Sequence, residues 1–408
     1  MKVEKFLKIL FVTLSVTIIF FFVFIKISNS VDFSKLLSSV FFVDSTTTEQ
    51  LKRNYNTPED RIRILVVPGH DAKSFGTSFG KIKEADLNLE LGEELFNFLK
   101  KENKFDVFIS RDENGYTPEI ASYLDKNREQ IAIFVSQKKE IMNEFLQTGD
   151  ISNIEGVSHN SVTFNTAVKL YGINKWANEN KIDLVLHIHF NDYPRRNKKS
   201  AGKYSGFSIY VPEKQYSNSK SSKELAGFIF DKLNKFYPKS DLLTESSGII
   251  PDQKLIAVGS YNTLDGIGLL VEYGYIYESQ FQKESVRSAV IKDMAFQTYL
   301  GIIDFFDKKK YGSDYFKTAL LPYNWSSSPK NGEQSASVLS LQAALVLEGV
   351  YPPAKFKRSD CPMSGRYKIC VSTAVKDFQK KYGLTQTGAV GPKTLKKLNE
   401  LYSVKIGD

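Results

Sequence analysis

The sequence predicts an α/β fold, and three observations carry that expectation. Strand-type apolar runs recur at Arg61–Pro68 (RIRILVVP), Phe105–Ser110, Ile182–His189, Gly206–Val211 and Ile267–Glu272. Helical stretches stand between them at 84–101, 167–180, 221–236 and 286–307, so strand and helix alternate from 61 to 308. The clearest helix, Glu84–Lys101, sets Leu87, Leu91, Leu95 and Leu99 at i+4 intervals on one face. Composition agrees: with 42% hydrophobic and 25% charged residues in 408, the chain is neither disordered nor fibrous and holds two to three domains' worth of residues.

Taken in order, the chain opens with an uncharged apolar run, Ile9–Ile25 (ILFVTLSVTIIFFFVFI), flanked by Leu7 and Ile27. As a helix it rises about 25 Å, close to the thickness of a bilayer core. The following IKISNSVD offers no small-x-small cleavage site, so residues 1–28 are expected to be an uncleaved transmembrane anchor. Lys2, Lys5 and Lys8 precede it, which keeps the N-terminus in the cytoplasm and places the rest of this single-pass chain outside. Residues 29–60 lack sustained periodicity and read as a stalk. The α/β domain covers 61–308. Residues 309–334 turn to KKKYGSDYFK and NWSSSPKNGEQ, the composition of a linker. From 335 to 404 a small unit carries three helical faces: Val338, Leu341 and Leu345; Val375, Phe378 and Tyr382; and, after Pro392, Leu395 and Leu398.

Two cysteines exclude Cys-based zinc fingers, iron–sulfur clusters and a disulfide framework, so a transition-metal site would have to draw on carboxylates and the four histidines, His70, His159, His187 and His189. The net charge of +9, from 55 Lys+Arg against 46 Asp+Glu, favours an anionic partner: nucleic acid, a membrane surface or an acidic wall polymer. An exported position removes nucleic acid from that group.

Strand ends are where open α/β sheets place their sites, and here three strong strands end in a ligand or base: His70 follows RIRILVVPG, His189 ends IDLVLHIH, and Glu272 ends GIGLLVE. Glu84 opens the helix after the His70 loop on the same face as Leu87 and Leu91, and a carboxylate on a buried face needs a cation. Two imidazoles and a carboxylate from separate elements, with a fourth position for water, make the pattern of catalytic zinc. Each residue alone has a plainer reading, as a satisfied strand histidine or a helix-dipole carboxylate. The conjunction, in a chain that otherwise avoids histidine, favours the metal site.

The strings VVPGHDAKSFGTSFGKIKEADLNL, LVLHIHFND and LLVEYGY resemble the zinc-dependent N-acetylmuramoyl-L-alanine amidase family (amidase type 3) over about 61–308. The resemblance implies a mixed twisted sheet flanked by helices, zinc (Zn2+) held by His70, Glu84 and His189, and Glu272 as the catalytic residue. Asp71 and Ala72 stand where the family usually has two glycines after the first histidine, which puts the shape and charge of that loop in question. His187 occupies a small polar position of the family and is expected to support the ligands rather than join them; His159 is expected at the surface. The strings SVLSLQAALVLEG, SGRY, AVKDFQKKYGL and TGAVGPKTLKKL are similar to the peptidoglycan-binding domain type 1. Cys361 and Cys370 frame an insertion in that unit and, outside the membrane, are expected to be disulfide-bonded.

The expectation is a membrane-anchored bacterial cell-wall hydrolase, of autolysin type, that binds peptidoglycan and cleaves the amide between N-acetylmuramic acid and L-alanine. A catalytically inactive peptidoglycan-binding scaffold and a zinc peptidase acting elsewhere on the stem peptide remain as alternatives. The long connection from Arg111 to Asp183 carries a helix at about Asn127–Leu146 with Ile131, Phe134, Val135, Met142 and Phe145 in one apolar arc. The resemblance to amidases in which such an insertion blocks the zinc with a helix carboxylate makes Glu129, Glu140 and Glu144 the candidates; they fall opposite the arc, so a steric lid over the site is expected and not a zinc-ligating one.

Overall fold

A computed structural model describes residues 47–157, 162–193, 196–197, 199–259, 265–308, 310 and 320–402. The expected membrane anchor and His159 lie outside the described residues, among which no helix is long and apolar enough to cross a membrane. In chain order the elements of the first half are α1 (Thr48–Asn56), β1 (Ile62–Pro68), the ribbon β2–β3 (Ser78–Phe79, Ile82–Lys83), α2 (Glu84–Leu99), β4 (Phe105–Ile109) and the ribbon β5–β6 (Arg111–Asp112, Gly115–Tyr116). Three helices follow, α3 (Pro118–Lys126), α4 (Arg128–Thr148) and α5 (Phe164–Glu179), then β7 (Leu184–Asn191), β8 (Ser208–Pro212), α6 (Ser219–Phe236), β9 (Ile249–Asp252) and β10 (Ile267–Tyr275). The chain closes with α7 (Ser279–Gln282), α8 (Glu284–Phe306), α9 (Ala336–Leu347), α10 (Ile369–Lys381) and α11 (Pro392–Tyr402).

Six strands form one mixed sheet in the order β4-β1-β7-β10-β8-β9. The first four run parallel, while β8 pairs antiparallel with β10 and parallel with β9. Helices cover both faces, which is why the central strands read as continuous apolar runs instead of alternating ones. Leu184, Leu186, Ile188 and Phe190 of β7 share a core with Leu87, Leu91 and Leu95 of α2 and Leu225 and Ile229 of α6. On the other face Val185 packs with Leu65, Val67, and Ile173 and Trp176 of α5. Helix α8 is buried on nearly every side, because α1, α2, α6 and α9 all pack against it.

Two segments read as connectors are partly built into the body. The stalk ends in α1, where Thr47 caps the helix by accepting from Gln50 N, and Leu51 and Tyr55 are buried, Tyr55 stacked on Phe306 with ring centroids 5.0 Å apart. A single i+4 apolar pair is too short a period to stand out in a polar stretch. The linker's last part, 320–334, belongs to the C-terminal unit: Trp325 exchanges backbone hydrogen bonds with the Asn399 amide and donates its indole N–H to Ser337 O. That unit docks on the sheet domain. Arg358 donates to the terminal carbonyls of α6 at Asn234 and Lys235, and Gly365 packs on Val286, where a Cβ would stand 3.1 Å from its methyls. Cys361 and Cys370 are disulfide-bonded.

Candidate active site

The ends of β1, β7 and β10 meet the first turn of α2. After Pro68, Gly69 donates its N–H to Ile188 O, and a Cβ on Gly69 would lie 2.2 Å from His189 Cε1, so only glycine lets the imidazole rest on the backbone. His70 follows with φ 62, in the left-handed region, a conformation that a non-glycine residue holds only where its surroundings fix it. Those surroundings include Arg111, which is buried and donates to Pro68 O, Gly69 O and Ala85 O, and Asn88, which donates to Gly69 O. Arg111 thereby ties the loop that carries His70 to the turn that carries Glu84.

Glu84 is 5% exposed. Its Oε1 lies 3.0 Å from His189 Nδ1 and 3.3 Å from His70 Nε2, while Oε2 accepts from Thr77 N at 3.0 Å. Burial alone would raise this carboxyl, but the hydrogen bonds from His189 and His70 outweigh it and hold the group well below the usual carboxylate range. In His189 burial dominates and pushes the imidazole down; in His70 the bond to Glu84 overcomes burial and pushes it up. The three donor atoms lie within 4.8 Å of one another. Tetrahedral zinc with bonds of ~2.0–2.1 Å places its ligands roughly 3.3 Å apart, so the residue types and their spacing both fit that ion.

Glu272 sits beside His189 in the β7–β10 register, on the same sheet face. Burial, then the charges of Glu84 and Glu245, raise its carboxyl well above the ordinary range, and its Oε2 is buried with no hydrogen-bond partner. A buried carboxyl with raised proton affinity has the chemistry of a general acid or base. Glu245 approaches from the β8–β9 connection, accepting from Asn191, Tyr210 and Tyr275 at 2.9, 2.8 and 3.2 Å. His187 lies outside the three-donor group, 1% exposed, its imidazole pushed down to about 3 by burial and by His189.

The helix expected as a lid does something else. Helix α4 buries Ile131 and Val135 against α5 and Met142 and Phe145 against Tyr216, and Glu129, Glu140 and Glu144 are exposed. The cavity beside His70 and His189 is walled by α5 instead, with no residue of α4 in its lining.

The sequence profile of N-acetylmuramoyl-L-alanine amidases matches residues 64–304, more than half of the chain. The chain belongs to that family of amidases. Residues 334–398 match the peptidoglycan binding domain. No curated protein matches. Among solved structures, the N-acetylmuramoyl-L-alanine amidase of Clostridium difficile 630 is 18% identical with a TM-score of 0.38, covering 61% of this chain and 98% of its own. The CwlD amidase of Clostridioides difficile in complex with the GerS lipoprotein is 15% identical with a TM-score of 0.40, covering 61% and 100%. The Ami1 amidase of Mycobacterium abscessus is 14% identical with a TM-score of 0.39, covering 60% and 99%. Within the family match lie His70, Glu84, His189 and Glu272; Asn88, which closes the EADLN string of the resemblance, also shapes the site, as do Arg111 and Glu245, which carried no signal in the sequence.

Proposed function

We propose that this amidase is a zinc enzyme that hydrolyses the bond between the lactyl group of N-acetylmuramic acid and the L-alanine of the stem peptide, with His70, Glu84 and His189 holding the metal. The observation that carries the reading is the convergence of both imidazoles on Glu84 Oε1, at 3.0 and 3.3 Å, with Glu272 alongside. Zinc in that position supplies a lowered pKa for a water and a polarised amide carbonyl. Glu272 takes one proton of the attacking water on its carboxylate and delivers it to the departing amide nitrogen, so that a lactyl carboxylate and a free L-alanine amine result. Gly69 and Arg111 hold the ligand-bearing segments in place.

The catalytic unit in this reading is 61–308 with α1 packed on it, and the wall-binding unit is 335–404 with 320–334 packed on it. Residues 1–28 anchor the protein in the cytoplasmic membrane with both units outside, where peptidoglycan is the partner. The test is digestion of purified sacculi by the zinc-loaded protein, followed by mass spectrometry. Free stem peptides beginning with L-alanine are expected. Cuts within the stem would make it a peptidase, and binding without release an inactive scaffold.

A further inference from the structure

The chain's positive charge is concentrated at one end. Residues 335–404 hold 11 Lys+Arg against 4 Asp+Glu, which is +7 of the net +9, and amide hydrolysis in the sheet domain makes no use of it. Some of these cations are committed within the fold: Lys381 pairs with Glu348, and Arg358 donates to the end of α6. Arg366 and Lys368 are not. They line a cavity of about 350 Å³ at the seam of the two units, with Ser364 on one side and Ser279 of α7 on the other. The Arg366 side chain is half-buried, its Nε is buried with no hydrogen-bond partner, and neither cation has an ion-pair partner among the described residues. Asp360, the one carboxylate of the lining, accepts from Lys357 N. A guanidinium carries five N–H donors in a planar fork, and buried donors left open on a cavity wall mark the place of a group that comes from outside. The wall is also preformed. The Cys361–Cys370 disulfide closes the loop that carries both cations, and the Gln334 amide donates to Ser279 O and Ser364 O, tying the two units at the cavity edge. The first turn of α10 borders the cavity at Cys370 without a side-chain cap, so its dipole adds to the positive potential there.

Two cations against one carboxylate favour an anion in this cavity. A guanidinium, an ammonium and two serine hydroxyls from different segments suit a tetrahedral phosphate better than a flat carboxylate, whose two oxygens lie in one plane. The volume exceeds that of a bare ion and leaves room for the polyol carbons on either side of a phosphodiester. The charge of the whole unit agrees. A stem peptide offers isolated carboxylates, whereas a phosphodiester chain carries a charge at every repeat and meets a basic surface along its length. We propose that the seam cavity binds a phosphate of an anionic, phosphodiester-linked wall polymer, with Arg366 on the phosphate oxygens and Lys368 beside it, so that the C-terminal unit grips a second polymer besides peptidoglycan. The site shares no residue with the ligand cluster around Glu84 and does not depend on the amidase reading. Because Ser279 belongs to the sheet domain and Ser364 to the C-terminal unit, the bound phosphate bridges the two.

The test is equilibrium binding of the full chain, in detergent, to poly(glycerol phosphate), with poly-L-glutamate of matched length as the carboxylate comparison. The phosphate polymer should bind more tightly, and Arg366→Gln should weaken it about tenfold, the loss of charge-assisted hydrogen bonds. Lys368→Gln, at an exposed position, should cost about threefold, and Lys393→Gln, which removes the same charge from α11 outside the cavity, less than about twofold. Should Arg366→Gln alter the circular dichroism spectrum, the comparison of Lys368→Gln with Lys393→Gln decides. Pelleting with sacculi that bear such a polymer should be stronger for the parent than for Arg366→Gln, and the difference should vanish once hydrofluoric acid has stripped the phosphodiesters. Equal affinity for polyglutamate, or equal losses in the cavity variants and Lys393→Gln, would reduce the effect to diffuse charge and overturn the proposal. A difference that persists on stripped sacculi, or tighter binding of phosphatidylglycerol vesicles or single-stranded DNA than of the polymer, overturns it as well.

Discussion

Gly76→Ala isolates the geometry of the ligand cluster from everything else in its loop. Gly76 has φ +72, and a Cβ there would fall 2.2 Å from Glu84 Oε2 and 2.6 Å from His70 Cδ2. To reach an ordinary contact of 3.4 Å the carboxylate or the imidazole must retreat by roughly 1 Å, several times the ~0.2 Å tolerance of a metal–ligand distance. The left-handed backbone adds a strain of about 1–2 kcal/mol for alanine. Gly80→Ala supplies the control, since Gly80, in the adjoining turn of the β2–β3 ribbon, has φ +61 but no atom within 4 Å of its Cβ position. The two variants share the backbone cost and differ in the collision. Zinc affinity, measured by competition with a chelator, should fall by about 10–100-fold in Gly76→Ala, the loss seen when ligand support is broken, and remain unchanged in Gly80→Ala. Equal zinc affinity in the two variants would refute the assignment of Glu84 and His70 as neighbours on one ion.

His70→Ala and His189→Ala should each lose zinc and the release of stem peptides together, whereas Glu272→Gln should keep zinc and lose turnover; metal analysis alongside the sacculus assay separates the two classes. Burial raises Asp293 from 3.8 to about 6, so the folded state binds a proton that the unfolded chain has released, and its contribution to stability is complete below pH 3.8 and lost as pH rises through 6. Denaturant unfolding of Asp293→Asn should show the decline from pH 4 to pH 7 reduced by about 3 kcal/mol relative to the parent, from 6 − 3.8 units at ~1.36 kcal/mol each. Trp325→Ala, which removes a buried indole with a bond to Ser337 O, should destabilise the C-terminal unit by about 3–5 kcal/mol, read from the denaturant unfolding of a 320–404 fragment with and without the substitution. Deleting 120–155 should lower the thermal midpoint and leave activity on soluble muropeptide no higher than before, because α4 buttresses α5 and does not cover the site.

What was legible in the sequence is what periodicity and charge placement write locally. β1, β7 and β10 announce themselves because a strand buried on both faces must be apolar throughout, and the His or Glu at its end then stands out. Glu84 was legible for a related reason, a carboxylate on the leucine face of α2 being costly without a partner. β9 (IIPD) is four residues long with an exposed proline, too short to outweigh its turn-like composition. Arg111 was invisible because it acts on main-chain carbonyls at Pro68, Gly69 and Ala85, 26 to 43 residues away, and every residue has a carbonyl. Glu245 was invisible for the same kind of reason: its partners Asn191, Tyr210 and Tyr275 come from three strands, and only the sheet order brings them together.

The insertion shows where one-dimensional reasoning stops. The apolar arc of α4 is where helical geometry puts it, but an arc states only that something must cover it and not what. The partner is decided by shape. At Gly172 of α5 an added Cβ would stand 2.4 Å from Leu124 Cδ2 and 2.9 Å from Ile131 Cδ1, so α5 presents a notch into which α3 and α4 fit, and a glycine in a helix sequence gives no hint of which leucine fills it. That choice carries through to chemistry. With α3 and α4 behind it, α5 is pressed onto the sheet at Ile173 and Trp176, and the same helix turns Lys169 toward the cavity beside the ligand cluster. The insertion therefore acts on that cavity at one remove, by fixing the helix that walls it, which is why its removal is expected to cost stability instead of releasing a blocked site.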